Sequence, residues 1–267
     1  MVCAPNLGRY GRLGNQLFQY AMLKAVALRI GCAAKIPRWR NGVLGVSTLQ
    51  LAPFQLTAQE LSESDVAQHE FHEPIGCFAT YLPEVFDVPE GTAFFGYYQS
   101  WKYFADYEQE IRQEFRFAED YARRTRIEAH RLRASGRPLV SLHVRRGDYL
   151  TAGDGLAHRS AEPAYYERAT REFPDAQFLV FSDDLTWCRQ QFVGDAFAFS
   201  EGTDHWLDLA LMAQCDHHIV AASTFSWWGA WLNPRSNKRV VAPDPWVGPA
   251  LQQYSTTDIY PPDWIKM

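Results

Sequence analysis

Two adjacent arginines, Arg145 and Arg146, directly follow a mostly apolar run at Leu139–Val144 and precede Gly147 and Asp148. The run predicts a strand that is covered on both faces, as in a parallel sheet. Ligands of open α/β sheets bind at the carboxyl ends of such strands, and a guanidinium offers a fixed fork of donors that matches a phosphate. The segment therefore predicts an anion site, with a surface Arg–Asp cluster as the alternative.

Polar segments also follow three further predicted strands. They are residues 182–184 after the strand at 177–181, residues 223–226 after the strand at 218–222, and residues 243–246 after the strand at 239–241. Ser182 and Asp183, with the neighbouring Asp184, could cap a helix, bind a ribose or hold magnesium, although two adjacent carboxylates alone make a poor metal site. Ser223 and Thr224 could cap the next helix or bind a phosphate at its start. We interpret the last segment as a structural turn.

Strands alternate with predicted helices near 163–173, 185–192, 206–215 and 225–232, which indicates βαβ units and a parallel sheet. Gly136 and Pro138 break the preceding helical pattern. We therefore predict an α/β protein with two domains, residues 1–135 and residues 136–267. The second is the predicted nucleotide-binding domain.

The N-terminal part carries a weaker signal for an anion site. A glycine-rich turn at 8–14 precedes a predicted helix at 17–28, and the amides of a first helical turn point outward. Glycine turns before helices are also common without a ligand. Residues 38–90 lack clear periodicity, and we predict one short helix from Ala58 to Glu70. A charged helix follows Gly96–Ser100, and the basic run at 123–133 fits a solvated helix face better than a phosphate patch.

The composition of the chain excludes several classes of protein. With 267 residues, 47% of them hydrophobic, and a net charge of -5, the chain is not a general binder of nucleic acids or membrane surfaces. Its five scattered cysteines include no Cys-x-x-Cys pair, which favours reduced thiols over a disulfide framework or a zinc site. We expect neither a signal peptide nor a transmembrane segment.

Several segments resemble, in order along the chain, the motifs of the α-1,2-fucosyltransferases of glycosyltransferase family eleven. They are Gly11–Ala21, Gly96–Phe104, His143–Tyr149, Phe181–Asp184 and Cys215–Leu232. The resemblance implies a GT-B-like fold, in which two Rossmann-type domains each contain a parallel sheet. Residues 1–135 are then the acceptor-side domain, and residues 136–267 are the GDP-sugar-binding domain. It also implies GDP-fucose as the donor, no divalent metal or other cofactor, and inversion at the anomeric carbon of fucose.

The resemblance further implies roles for individual residues. Arg145 grips the diphosphate, His143 and Asp208 contact the guanine, and Ser182 and Asp183 belong to the donor site. The remaining phosphate contacts are assigned to Gly14, Asn15, Ser223, Thr224 and Ser226. Asp148 is the first candidate for the base that deprotonates the acceptor, and its alternative role is to pair with an arginine. Asn15 can only orient a hydroxyl, and a late proton transfer to the departing phosphate is a third route.

The predicted function is transfer of L-fucose from GDP-fucose to the 2-hydroxyl of a terminal β-galactose on an oligosaccharide or glycolipid. We expect a cytoplasmic, bacterial-type enzyme that acts on a polysaccharide repeat unit or a lipid-linked precursor, with peripheral contact to the inner membrane left open. One alternative is a glycosyltransferase that uses another GDP-sugar. Another is a non-catalytic glycan-binding protein, although such a protein needs no diphosphate grip.

Overall fold

The computed structural model describes residues 1–37, 49–150, 156–159, 162–202 and 204–267. The chain forms two compact units, Met1–Arg116 with Tyr254–Pro261, and Phe117–Gln253 with Pro262–Met267. The boundary between the units thus falls at residues 116–117, before the helix Glu119–Leu132, whereas the sequence predicts a domain boundary after that helix. The predicted boundary at 135–136 stays a prediction. Along the described ranges, no helix combines the length and the apolar character needed to cross a membrane.

The first unit contains a parallel sheet with a long helix after its first strand. Its elements are β1 (Val2–Cys3), α1 (Leu13–Ile30), β2 (Ala34–Ile36), β3 (Gln59–Glu60), β4 (His69–His72), β5 (Thr92–Phe95) and α2 (Glu108–Glu114), with 3-10 turns at Pro83–Phe86 and Trp101–Tyr107. Within the described residues the sheet has the order β3-β2-β1-β5-β4, and every pair is parallel. Leu17, Tyr20 and Leu23 of α1 are fully buried, and the helix ends at Gly31 in the left-handed conformation.

The predicted helix from Ala58 to Glu70 is wrong. The segment instead begins with β3 and ends with the first residues of β4, which pair with β2 and β5 respectively. Both are edge strands whose side chains are mostly exposed, so their sequences lack the alternation of a half-buried strand. The charged helix predicted after Ser100 is also divided, into the 3-10 turn Trp101–Tyr107 and α2.

The second unit contains a larger parallel sheet. Its elements are α3 (Glu119–Leu132), β6 (Leu139–Val144), α4 (Pro163–Arg171), β7 (Gln177–Ser182), α5 (Leu185–Gln191), β8 (Phe197–Phe199), α6 (His205–Met212), β9 (His217–Ile219), α7 (Thr224–Leu232), β10 (Val240–Ala242) and β11 (Ile265–Lys266). For the residues described, the sheet order is β11-β10-β9-β6-β7-β8. The four predicted strands and four predicted helices are confirmed, with ends that shift by a few residues.

Strand β6 lies inside this sheet and is buried along its whole length. Val140, Leu142 and Val144 pack into one hydrophobic cluster, together with Tyr165 and Tyr166 of α4. Leu139 packs into a second cluster with residues of α3, α6 and β7. Because both faces are covered, β6 fixes the position of the arginines that follow Val144.

Candidate active site

The polar segments of the second unit meet at one edge of its sheet. Strands β9, β6, β7 and β8 are parallel neighbours, so the residues that follow them emerge on the same side. These residues are 220–223, 145–148, 183–184 and 200–202. The carboxyl edge of such a sheet is where ligands of open α/β folds bind. The structure thus places three of the predicted polar segments, those after β6, β7 and β9, at one edge of the sheet, together with the residues that follow β8.

Arg145 is held from three sides. Its Nη1 lies 2.9 Å from Oδ2 of Asp183, and its Nη2 donates to Oδ1 of Asp148. Its Cζ lies 5.4 Å from the centre of the Tyr149 ring. The side chain is 18% exposed, and two carboxylates occupy only part of the five N–H donors of a guanidinium. Arg145 is therefore oriented in advance and can still reach an anion.

Asp183 connects the ends of β6 and β7. Besides the contact with Arg145, its Oδ1 accepts a hydrogen bond of 3.0 Å from the backbone N–H of Arg146. Gly147 makes this approach feasible, because a Cβ at that position would lie 2.5 Å from Oδ2 of Asp183. The glycine of the motif is thus required by a carboxylate on the neighbouring strand rather than by backbone conformation.

Arg146 has a structural role. Its Nε donates to Oδ2 of Asp184 at 3.1 Å, and its Cζ lies 4.1 Å from the centre of the Trp187 ring. Asp184 also caps α5 by accepting from the N–H of Trp187 at 3.0 Å, which holds the pKa of the Asp184 carboxyl below its usual range. Asp183 and Asp184, the two adjacent carboxylates that the sequence offers for magnesium, thus pair with two different arginines. Metal independence stays a prediction.

The start of α7 presents backbone amides and hydroxyls at the same edge. Ser223 occupies the N-cap position, and its hydroxyl makes no capping bond to the described part of the helix. Ser226 is 2% exposed, and its hydroxyl accepts from the N–H of Ala221 at 3.2 Å and donates to the carbonyl of Ser223 at 3.3 Å. Ser226 therefore braces the turn, whereas Ser223 and Thr224 stand at the helix start, where an anion would bind.

Tyr149 links the arginine turn to the start of α7. Its hydroxyl donates to the carbonyl of Ala222 at 3.1 Å, and its ring stacks on His158 with centroids 4.3 Å apart. Burial raises the pKa of Tyr149, so the phenol stays protonated and keeps its role as a donor. The same ring lies beside Arg145, and this single side chain thus fixes the arginine turn against the N-terminus of α7.

Asp208 lies at the outer part of this edge. Ser200, just after β8, donates to its Oδ1 at 2.6 Å, and burial raises the pKa of the Asp208 carboxyl to about 6. A Cβ at Gly202 would lie 2.5 Å from Oδ1 of Asp208, so the loop after β8 closes tightly on the carboxylate. The sequence analysis missed Ser200 and Gly202 because β8 has only three residues. A serine and a glycine after an alternating aromatic run could have indicated them.

His143 is buried in β6 and is 6% exposed. Its ring centroid lies 5.6 Å from that of Phe225, and its Nδ1 has no hydrogen-bond partner among the described residues. Burial, together with the nearby charge of Arg145, lowers the pKa of His143 to about 3, so the imidazole is neutral. Its predicted contact with guanine stays a prediction. Trp227, Trp228 and Trp231 are buried against one another and therefore pack the interior of the unit.

Gly14 and Asn15 belong to the first unit, in the first turn of α1. The N–H of Leu13 donates to Oε1 of Gln50 at 2.8 Å, and the N–H groups of Asn15 and Gln16 donate to the carbonyl of Arg12. The side chain of Asn15 accepts from Nε2 of Gln99 at 3.1 Å. Several donors of this helix start are thus satisfied within the unit, which weakens the case for a phosphate there.

The model of Glycosyl transferase family 11 matches residues 6–267. The O-antigen biosynthesis glycosyltransferase WbnK of Escherichia coli is 28% identical over 96% of this chain and 98% of its own length. The alpha-1,2-colitosyltransferase of Escherichia coli is 31% identical over 65% of this chain and 62% of that protein. The galactoside alpha-(1,2)-fucosyltransferase 1 of Saimiri sciureus is 32% identical over 83% of this chain and 63% of that protein. The chain thus covers less than two thirds of the last two relatives.

Solved structures with a similar fold include two fucosyltransferases. NodZ alpha-1,6-fucosyltransferase, soaked with GDP-fucose, superposes with a TM-score of 0.56 at 16% identity, over 91% of this chain and 94% of that one. POFUT1 in complex with GDP gives a TM-score of 0.52 at 12% identity, over 90% and 97% of the two chains. At these identities the likeness concerns the fold, and it confirms the predicted α/β architecture of the GT-B type.

Proposed function

The chain belongs to glycosyl transferase family 11 and is a glycosyltransferase, and on this premise we propose that it transfers L-fucose from GDP-fucose to the 2-hydroxyl of a terminal β-galactose. The observation that carries the proposal is the placement of Arg145 between Asp148 and Asp183, at the sheet edge where α7 also begins. The names of two relatives support an α-1,2 linkage.

The proposed reaction breaks the bond between the anomeric carbon of fucose and the β-phosphate oxygen of GDP. The 2-hydroxyl oxygen of galactose attacks the opposite face of that carbon, so the configuration inverts, and the hydroxyl proton leaves. Negative charge develops on the departing diphosphate, and preorganised donors at this position lower the barrier. Arg145 supplies a fork of N–H donors, and Thr224 supplies an amide and a hydroxyl at the start of α7. Ser223 supplies a second hydroxyl beside it.

The proton of the acceptor hydroxyl needs an acceptor of its own. Asp148 is the first candidate by its position in the motif and by its 44% exposure, although it already pairs with Arg145. In that pairing Asp148 also fixes the guanidinium that meets the phosphate. Transfer of the proton to the departing phosphate is the alternative, and an Asp148→Asn variant separates the two. If Asp148 is the base, the variant loses turnover and keeps its affinity for GDP. If Asp148 only positions Arg145, the variant loses affinity for GDP as well.

The guanine of GDP is assigned to Asp208 and to His143. An ionised carboxylate accepts hydrogen bonds from both N1–H and N2–H of guanine. Adenine lacks both of these donors. Ser200 and Gly202 hold the carboxylate in place. The proposed donor site thus takes the base at the outer edge of the sheet, toward β8, and the diphosphate next to β6 and α7.

A second candidate donor is a GDP-activated colitose, because one relative is named a colitosyltransferase. Colitose is fucose without the 3-hydroxyl, so the two donors share the methyl group and the ring configuration. Incubation of the protein with GDP-fucose, GDP-colitose and GDP-mannose, each with a panel of β-galactosides, tests the donor. NMR of the product reports the linkage and the anomeric configuration. Turnover of GDP-mannose alone would refute the proposal.

The acceptor proposed is a galactose-terminated polysaccharide repeat unit or its lipid-linked precursor, at the cytoplasmic face of a bacterial membrane. The name of the O-antigen relative supports this choice. Fractionation of expressing cells into cytosol and membranes, with and without a salt wash, tests the location. A protein secreted to the medium would contradict it.

A further inference from the structure

The first unit contains a small cavity at the carboxyl edge of its sheet, next to the ends of β1 and β5. The cavity has a volume of about 50 Å³. Its apolar lining includes Leu7, Met22 and Phe94, whereas Gln19 of α1 contributes a polar group and Tyr10 also lines it. A single water needs on the order of 10–15 Å³ of such space. The cavity therefore has room for a group of two heavy atoms that is part apolar and part polar.

Gln19 is 6% exposed, and only one end of its amide is matched by the protein. Its Nε2 donates to the carbonyl of Gly96 at 2.9 Å. Its Oε1 finds no donor among the residues described. Burying an acceptor without a donor is unfavourable, so such an atom points to water or to a ligand.

Gln16, three residues earlier in α1, provides a comparison within the same helix. Its Nε2 donates to the carbonyl of Gly11 at 3.2 Å, and its Oε1 accepts from the N–H of Gln50 at 2.7 Å. The buried amide of Gln16 thus has a hydrogen-bond partner at each end, as expected for a structural role. Gln19 differs because its oxygen atom has no such donor among the described residues, and the residue lines the cavity.

Two exposed tyrosines lie in the segments that line the cavity, and the guanidinium carbon of Arg9 lies 5.6 Å from the ring centre of one of them, Tyr10. Tyr10 is 50% exposed and Tyr97, next to Gly96, is 36% exposed. Exposed tyrosine rings combine an apolar face with a polar tip, which is the pattern that packs against sugar rings. The nearby carboxylate of Glu73 already accepts from the N–H groups of Tyr97 and Tyr98, each at 2.8 Å.

We infer that this cavity is a subsite for the acceptor sugar, with Gln19 as the residue that recognises the 6-hydroxymethyl group of the terminal galactose. The carbon of that group packs on Leu7 and Met22, and its hydroxyl donates to Oε1 of Gln19. Tyr10 and Tyr97 flank the sugar ring. The inference rests on the proposed function, because it takes the acceptor to be a galactoside.

The test compares methyl β-D-galactoside with its 6-deoxy analogue, by isothermal titration in the presence of GDP and by turnover with GDP-fucose. For the natural chain the 6-deoxy analogue is expected to bind about tenfold or more weakly, the effect of one lost hydrogen bond to a buried acceptor. In Gln19→Met the parent galactoside should bind about as weakly as the analogue does, and the preference between the two should disappear.

A structural role of Gln19 predicts a different outcome, because loss of its bond to Gly96 would lower the melting temperature and weaken both sugars equally. A Gln113→Met variant, at an exposed glutamine of α2 in the same unit, serves as the matched control and should keep the preference. Tyr10→Ala, at an exposed position, should weaken both galactosides by a few-fold without a loss of folding.

The two measurements separate the two proposals. Binding of the galactosides needs no donor turnover, so the subsite is decided even if GDP-fucose is not the donor. An unchanged preference in Gln19→Met, or equal binding of the two galactosides by the natural chain, would overturn the subsite. Absence of turnover with GDP-fucose, together with a preference that depends on Gln19, would instead overturn the donor assignment.

Discussion

The carboxyl edges of the two sheets occupy the same topological position but carry different functional side chains. At the edge of the second sheet, Arg145 and Arg146 are paired with three carboxylates, Asp148, Asp183 and Asp184. At the edge of the first sheet, Gln19 and Tyr10 line a cavity next to the ends of β1 and β5, and burial raises the pKa of Glu73, which follows β4. The same parallel arrangement thus supports an anion site or a site for uncharged ligands, depending on the residues that follow each strand.

The difference concerns preorganisation as well as charge. In the second unit, carboxylates and a tyrosine ring hold a guanidinium in place before any phosphate arrives, which avoids the cost of ordering a long side chain on binding. In the first unit, the amide of Gln19 is fixed at one end by Gly96, its other end has no hydrogen-bond partner among the described residues, and the residue lines a cavity. Each edge therefore holds one functional group rigidly and leaves one hydrogen-bonding face open.

The largest expected effect comes from the charge at the second edge. Arg145→Ala should lower kcat by about 10²–10³-fold, because it removes donors from the departing diphosphate, and Arg145→Lys should recover only part of that loss since an ammonium lacks the bidentate fork. Steady-state kinetics with GDP-fucose and a galactoside measure both variants. Galactoside binding should be unchanged.

Arg146→Lys is the matched control for Arg145→Lys. It keeps the charge but loses the Nε hydrogen bond to Asp184 and the stacking on Trp187, so the melting temperature should fall. Turnover should stay within about threefold of the natural rate, since the guanidinium of Arg146 is paired with Asp184 and stacked on Trp187. Equal losses of turnover in the two lysine variants would show that both arginines act on the donor.

A smaller loss is expected from Gly147→Ala. The added Cβ would meet Oδ2 of Asp183 at 2.5 Å, which forces that carboxylate away from Arg145. Kinetics should show a loss of about tenfold or more in turnover with little change in galactoside binding, because a misplaced catalytic group is costly even at about 1 Å. Gly136→Ala, where the added Cβ meets nothing within 4 Å but φ is +75°, should lower stability alone.

The strands of the second sheet are easier to predict from the sequence than those of the first, for a physical reason. Strands covered on both faces, such as β6 and β7, are continuous apolar runs, and the polar residues that end them stand out. The edge strands β3 and β4 of the first sheet are exposed, and only pairing with distant segments makes them strands. The same limit applies to the sites, because Arg145 follows a readable strand, whereas the importance of Gln19 depends on which backbone groups its amide meets.

Asp208→Asn should weaken GDP by about tenfold at pH 7.5, since a charge-assisted pair of hydrogen bonds to guanine is lost. For the natural chain, affinity should also fall below about pH 6, where Asp208 takes up a proton, and the variant should lack this pH dependence. Titration of GDP-fucose analogues between pH 5 and 8, with the variant as the reference, measures the difference. An identical pH profile in both would remove Asp208 from the guanine site.

The same substitution should stabilise the fold. The folded-state pKa of Asp208 is raised to about 6, above its unfolded value near 3.9, so the folded chain prefers the protonated carboxyl. The carboxylate therefore destabilises the fold increasingly as the pH rises between these two values, and the cost is complete above about pH 6. Replacement by Asn should raise the melting temperature at pH 8 and change it little at pH 4, and scanning calorimetry at both values tests this.

The smallest effects separate two serines at the start of α7. Ser223→Ala should reduce turnover by a few-fold with little change in stability, because its hydroxyl stands at the N-cap and does not cap the described helix. Ser226→Ala should instead cost about 1 kcal/mol of stability, since its buried hydroxyl bonds the backbone of Ala221 and Ser223, with turnover nearly unchanged. Kinetics and chemical denaturation of both variants make the comparison. If Ser226→Ala lost turnover and kept its stability, phosphate binding would extend into the buried side of the helix start, and the division between bracing and binding residues at this edge would be wrong.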